Sequence, residues 1–116
     1  MSMTSYKDLI VWQKAKQLAV LVYKSTEKFP RSELYGLTSQ MRRAAISISS
    51  NIAESYNRFH RREKDQFLAI SFGSGAELGS QMEISKELFP KASFADAGAL
   101  LDEVMRILNK FLSSRA

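Results

Sequence analysis

Residues 40–63 read QMRRAAISISSNIAESYNRFHRRE, more than twenty residues with neither glycine nor proline to interrupt them. That unbroken run constrains the backbone more than any other feature of the chain. Ile46-Ser47-Ile48-Ser49 alternates apolar and polar, which is the period of a half-buried strand. Met41, Ala44, Ala45, Ile48, Ile52 and Ser55, however, recur at the spacing of one helix face, and the stripe continues through Tyr56 and Phe59. A strand would need turn formers close by, and none is present. The pattern predicts a helix over 38–58, opened by Thr38 or Ser39 as a cap. Ala44, Ala45, Ser47, Ser49, Ser50, Ala53 and Ser55 keep its surface small, so neighbours approach closely and the helix is expected at the centre of the fold. A second stripe, Arg43, Ser47, Asn51, Glu54 and Arg58, runs along the same helix, and Glu54 and Arg58 are spaced to pair.

Three further helices follow from the same rules. Ser5 and Asp8 resemble a capping box, and Leu9, Trp12, Ala15, Ala19 and Val22 carry a helix over 6–28 that Phe29-Pro30 stops. Pro30 and Gly36 mark the connection to the central helix. A third helix is predicted over 62–88, with Phe67, Ile70 or Ser71, Ser74, Leu78, Met82, Ser85 and Leu88 on its buried side, ended by Phe89-Pro90. Ser93 with Asp96 starts a fourth, whose stripe is Phe94, Ala97, Leu101, Val104, Leu108 and Phe111. Four helices with short joins describe an all-α, antiparallel up-and-down four-helix bundle occupying 1–116 as a single domain.

Composition removes several function classes. No cysteine is present, which excludes disulfides, thiolate metal sites and cysteine nucleophiles, and the lone His60 excludes a multi-histidine metal site within one chain. The N-terminal apolar run, Leu9 to Trp12, is too short for a signal peptide or membrane span, so a cytoplasmic protein is expected. The formal charge is +5, unevenly spread: residues 1–62 hold eleven bases and four acids, residues 63–116 six bases and eight acids. A positive N-terminal half suits an anionic partner, and nucleic acid suits it better than membrane, because the bases do not oppose one broad apolar helix face. The plainer meaning of such a charge is a solubilising surface.

Candidate chemistry is sparse. FLAISFGSGAELG at 67–79 could be drawn as a phosphate-cradling loop, but Gly73, Gly75 and Gly79 are one residue too widely spaced for the dinucleotide pattern and no Lys-Ser/Thr follows. The simpler meaning is a helix thinned for close packing by a neighbouring helix. His60 lacks the arginine of a helical ribonuclease motif, which needs four to six residues between the two and finds Ala53 to Ser55 at those positions, no serine sits in a GxSxG setting, and the Asp102-Glu103 and Glu63/Asp65 pairs read as solvated surface. What remains is a basic set, Arg42, Arg43, Arg58, Arg61, Arg62 and Lys64, with Tyr56, Phe59 and His60 interleaved. Arginine and lysine on phosphates with an aromatic stacked on a base is how single strands and RNA loops are held. Arg43 and Glu54 alternatively belong to a polar network within the bundle or between subunits.

Three segments also resemble a known family: Tyr6-Lys7-Asp8-Leu9-x-x-Trp12-x-x-Ala15, then Phe29-Pro30-x-x-Glu33-x-Tyr35-Gly36-Leu37, then Gln40-Met41-Arg42-Arg43-Ala44-Ala45-x-Ser47-Ile48-x-x-Asn51-Ile52-Ala53-Glu54. With Arg58, Phe67-Leu68, Gly73-Ser74 and Glu77-Leu78 they are similar to the four-helix-bundle 23S ribosomal RNA intervening-sequence proteins over about residues 6–88. The resemblance implies a homo-oligomer, a pentameric ring, and kinship with the accessory protein of diversity-generating retroelements, a basic pentamer that binds nucleic acid and a reverse transcriptase. It implies no enzymatic activity and no cofactor. Ser55 stands where that family usually has glycine, and Ser71 where alanine is common, so helix two is expected to pack slightly less closely. The reading at this level is a non-enzymatic, oligomeric basic bundle that binds RNA or DNA through phosphates; the alternative is a structural scaffold or protein-interaction module.

Overall fold

The computed structural model describes residues 4–114, and within them the helical spacing resolves into four long helices: α1 (Ile10–Thr26), α2 (Ser39–Tyr56), α3 (Arg61–Leu88) and α4 (Ala95–Ser113). The ends of the expected 1–116 domain, including Arg115, lie outside the described residues. Each helix packs on the next and α4 returns to α1, which gives an up-and-down bundle with α2 against α3 as its most extensive contact. No described helix is long and apolar enough to cross a membrane.

The central helix agrees with its sequence most closely, because Met41, Ala44, Ala45, Ile48, Ile52 and Ser55 are all buried. Small side chains let α3 close on it, and hydroxyls fill the contact. Ser71 Oγ donates to the Ile48 carbonyl at 2.8 Å, Ser55 Oγ to the Lys64 carbonyl at 2.9 Å, and the Ser47 and Ser74 hydroxyls bond to each other at 2.8 Å. The two departures from the family pattern, Ser55 and Ser71, therefore both place a buried hydroxyl on a backbone acceptor across α2 and α3. A buried hydroxyl left unbonded would cost about 1–3 kcal/mol, so these bonds are what make serine acceptable there.

Helix ends differ from expectation where packing outweighs capping. The first predicted helix splits into a 3₁₀ turn, Tyr6–Asp8, and α1, separated by Leu9 in an extended conformation (φ −73°, ψ 127°). Ser5 Oγ accepts from the Lys7 amide at 3.0 Å and Asp8 Oδ2 from the Thr4 amide at 3.0 Å, so the acid closes a local turn instead of capping a long helix. The break folds Tyr6 edge-on to Trp12, with centroids 5.0 Å apart, and turns the buried stripe to Val11, Ala15, Leu18, Val22 and Thr26, leaving Leu9, Trp12 and Ala19 half-buried. α2 begins without a side-chain cap from Thr38. A π-helical turn, Leu34–Thr38, leads into it, and Glu33 Oε1 accepts from the Leu37 amide at 3.1 Å. A Cβ on Gly36 would sit 3.0 Å from that carboxylate oxygen, so glycine is what lets the acid close over the turn.

The Ser93–Asp96 box does not form either. Phe94 occupies the cap position of α4 without a side-chain bond and is buried, edge-on to Phe29 at 6.0 Å, while Phe29 packs on Phe89 at 4.8 Å. Burying an aromatic is worth about 1.5–3 kcal/mol against about 1 for a cap, so the phenylalanine takes precedence. Two predicted core aromatics lie outside: Phe59 is 95% exposed and Phe111 is also exposed. On α3, Leu68, Ser71, Gly75, Leu78, Gln81, Met82 and Ser85 face inward, whereas Ile70 and Leu88 are exposed.

Candidate nucleic-acid interface

The six candidate bases do not make one patch. Arg42 lies in the first turn of α2 and Arg58 two residues beyond its last residue, Tyr56, which is itself about 21 Å along the axis from Arg42, so the set divides between the two ends of α2. Arg42 is occupied by the fold: Nε donates to Thr26 Oγ1 at 2.9 Å, an Nη to the Tyr23 carbonyl at 3.3 Å, and the guanidinium lies 4.5 Å from the Tyr23 ring centroid. It thereby adds a charged donor to a carbonyl in the last turn of α1, which also accepts from the Glu27 amide, and a cation there favours the dipole. Neighbouring Arg43 is exposed and makes no ion pair among the described residues. The intrachain network with Glu54 does not form, since Glu54 Oε2 instead accepts from Arg58 at 2.9 Å, the pair expected from their spacing.

The other four bases meet at the α2–α3 corner, which is tightly built. α2 ends when the Asn57 amide reaches back to the Ala53 and Glu54 carbonyls, and the Arg58 amide donates to the Ser55 carbonyl at 3.2 Å. Lys64 Nζ bonds the Ser55 and Tyr56 carbonyls at 3.2 and 3.1 Å, satisfying the exposed end of α2 from the first turns of α3. The Lys64 amide in turn donates to the His60 carbonyl at 3.0 Å. Arg58 is held over the Phe67 ring at 4.7 Å as well as on Glu54, with its Nε buried and unbonded. Arg58 and Lys64 are thus positioning residues that also carry charge.

Arg61 and Arg62 are different. Both are exposed in the first turn of α3, form no ion pair among the described residues, and stand beside exposed His60 and Phe59. His60 provides no side-chain cap there. Cations at a helix N-terminus oppose the dipole by about 0.3–1 kcal/mol each, and Glu63 offsets only part of that. The same first-turn amides and dipole favour an anion. An external anion would therefore satisfy both arginines and the helix end together.

The glycine-rich segment is no loop. Gly73, Gly75 and Gly79 are interior to α3, so no phosphate cradle exists there. A Cβ on Gly75 would overlap Met105 Sδ of α4 and one on Gly79 would touch Leu101 Cδ2 at 3.6 Å, while one on Gly73 would meet nothing within 4 Å. No group of three or more His, Asp or Glu able to hold a metal occurs among the described residues. Sequence reasoning missed the roles of Arg42 and Lys64, because their acceptors, the Tyr23, Ser55 and Tyr56 carbonyls and the Thr26 hydroxyl, are brought to them only by the packing of the elements. The exposure of Phe59 had one available signal, the turn-forming Asn57 two residues before it.

Among solved structures, a protein of unknown function from the S23 ribosomal protein family of Bacteroides thetaiotaomicron is 18% identical, covers 89% of this chain and 98% of its own, and superposes with a TM-score of 0.78. At that identity the likeness bears on the fold alone. No curated protein matches the chain. The sequence profile of one family, described as 23S rRNA-intervening sequence protein, matches residues 7–110. The chain belongs to the 23S rRNA-intervening sequence protein family.

Proposed function

We propose that this protein is a non-enzymatic, cytoplasmic nucleic-acid-binding bundle whose α2–α3 corner contacts phosphates, with Arg61 and Arg62 as the direct contacts and Arg58 and Lys64 as fixed charges behind them. One observation carries the reading: two exposed arginines without an ion pair among the described residues stand against the dipole at the start of α3, where an added anion would offset the opposition. The family's description names 23S rRNA, which makes RNA the first probe to use. Self-association as a homo-oligomer, a ring of five, accompanies this reading. Ile70, Ile84 and Leu88 lie half-exposed on one side of α3, at spacings that bring them onto one face.

The test is fluorescence anisotropy of a labelled structured RNA, and of a DNA of equal length, across a range of salt. Each phosphate contact adds roughly 0.7–0.9 to the slope of log affinity against log salt, so Arg61→Ala with Arg62→Ala should lower that slope by roughly 1.4–1.8. Absence of salt-dependent binding to either nucleic acid would overturn the proposal. Light scattering tests the assembly: a mass several times 13.1 kDa is expected, and a monomer at micromolar concentration would remove the ring.

A scaffold reading has one observation in its favour. At the opposite end of α2, Tyr35 is 92% exposed beside exposed Leu34, and Ile46 and the unpaired Arg43 are exposed on α2 itself. That surface suits a protein partner better than a phosphate backbone. Failure of the titration together with assembly weakened by Arg43→Ala would favour it.

A further inference from the structure

The α2–α3 corner holds a feature that phosphate binding leaves unused. Phe59 is 95% exposed, whereas Phe29 and Phe94 are buried and Phe67 lies under Arg58. A phenylalanine free to move would turn onto the nearest apolar surface and recover part of the roughly 1.5–3 kcal/mol that burial is worth. At 95% exposure nothing described packs on the ring, and the backbone bonds on either side aim its Cα–Cβ bond away from the bundle. Before it, the Arg58 amide is tied to the Ser55 carbonyl; after it, the His60 carbonyl is tied to the Lys64 amide. Lys64 Nζ locks both sides together through the Ser55 and Tyr56 carbonyls. The ring is thus displayed by a pinned turn, with Arg61 and Arg62 within three residues of it and His60 next to it.

Resting on the phosphate reading of this corner, we propose that Phe59 is a stacking platform for one unpaired base, so that the protein selects single-stranded segments or loops over duplex. A flat π-face beside cations matches a nucleotide with its base turned out: the base covers the ring while Arg61 and Arg62 take the adjoining phosphates. A duplex offers the same phosphates but keeps its bases stacked on one another, so it gains nothing from the ring. Preorganisation of the turn's backbone removes part of the ordering cost of binding.

The experiment uses the full chain and a labelled RNA of roughly 16 nucleotides without self-complementarity, compared with the same strand hybridised to its complement. The single strand is expected to bind about 5- to 100-fold more tightly than the duplex. Phe59→Leu should abolish that preference while leaving duplex binding unchanged, and Phe59→Tyr, which keeps a π-face, should retain it. Because the side chain is exposed, all three proteins should show the same thermal melt. Equal binding of both forms by the wild-type protein, or a preference that survives Phe59→Leu, overturns the stacking platform; if Arg61→Ala still weakens binding in that case, the phosphate reading stands. Binding of neither form overturns both.

Discussion

Three glycines in one helix provide a test of how closely α3 and α4 are packed. Replacing a helix-interior glycine by alanine gains about 0.8–1 kcal/mol of helix propensity wherever the methyl group has room. At Gly73 nothing lies within 4 Å of the added Cβ, and at Gly79 the nearest atom, Leu101 Cδ2, is at an ordinary contact distance of 3.6 Å. Both substitutions should therefore stabilise by close to the full amount, raising the melting temperature by about 3–5 °C each. Gly75 is different, because the new methyl would overlap Met105 Sδ and also crowd its Cε at 3.3 Å. The overlap falls on the flexible end of a half-buried methionine, so Met105 relieves it by swinging its tip aside at the α3–α4 contact. Overpacking costs about 1–3 kcal/mol, and a half-buried methionine tip puts this case at the low end, leaving Gly75→Ala close to neutral after the propensity gain. Urea denaturation followed by circular dichroism, with light scattering on the same samples, measures all three. Adding Met105→Ala to Gly75→Ala should show positive coupling, because the obstructing side chain is gone. Equal stabilisation by all three alanines would refute the reasoning and show that Met105 moves aside freely.

Other perturbations separate occupied charges from available ones. Arg42→Ala should destabilise by about 1–2 kcal/mol, since it removes the two bonds and the ring contact that tie the start of α2 to the end of α1, although the Tyr23 carbonyl keeps the Glu27 amide and Thr26 Oγ1 keeps its bond to the Val22 carbonyl, whereas Arg43→Ala on the next residue should change stability by less than about 0.5 kcal/mol; chemical denaturation of the two variants side by side checks this. Lys64→Met should lower stability by about 1–2 kcal/mol through the lost bonds to Ser55 and Tyr56, and should speed amide hydrogen exchange at 57–60, where the turn is pinned. Glu103 receives a hydrogen bond from Lys14 Nζ at 2.6 Å, and that bond, then the lysine's charge, hold its carboxyl below the ordinary value against the opposing effect of burial. A carboxyl depressed in the folded state contributes stability that is present above its unfolded pKa and lost as pH falls through the folded one. The melting temperature should therefore decline as the solution is acidified below the usual carboxylate range, and Glu103→Gln should make that decline shallower.

Much of this protein follows from residue order alone. Period 3.6 over an uninterrupted run made α2 a helix and set its buried face to the residue, from Met41 to Ser55. The α4 stripe from Phe94 to Leu108 was equally legible, because a strongly amphipathic helix has one face that water rejects. The absence of cysteine and the single histidine restricted the chemistry before any coordinates. Helix ends were decided only in three dimensions. Burial of Phe94 against Phe29 overrode the Ser93–Asp96 box, and the Tyr6–Trp12 contact accompanied a break in a helix that local pattern continued. The division of the arginines also belongs to the tertiary structure. Sequence assigns Arg42, Arg58, Arg61 and Arg62 the same charge, but a backbone carbonyl or an aromatic ring brought close by the fold is what separates a cation already held from one still exposed to a partner.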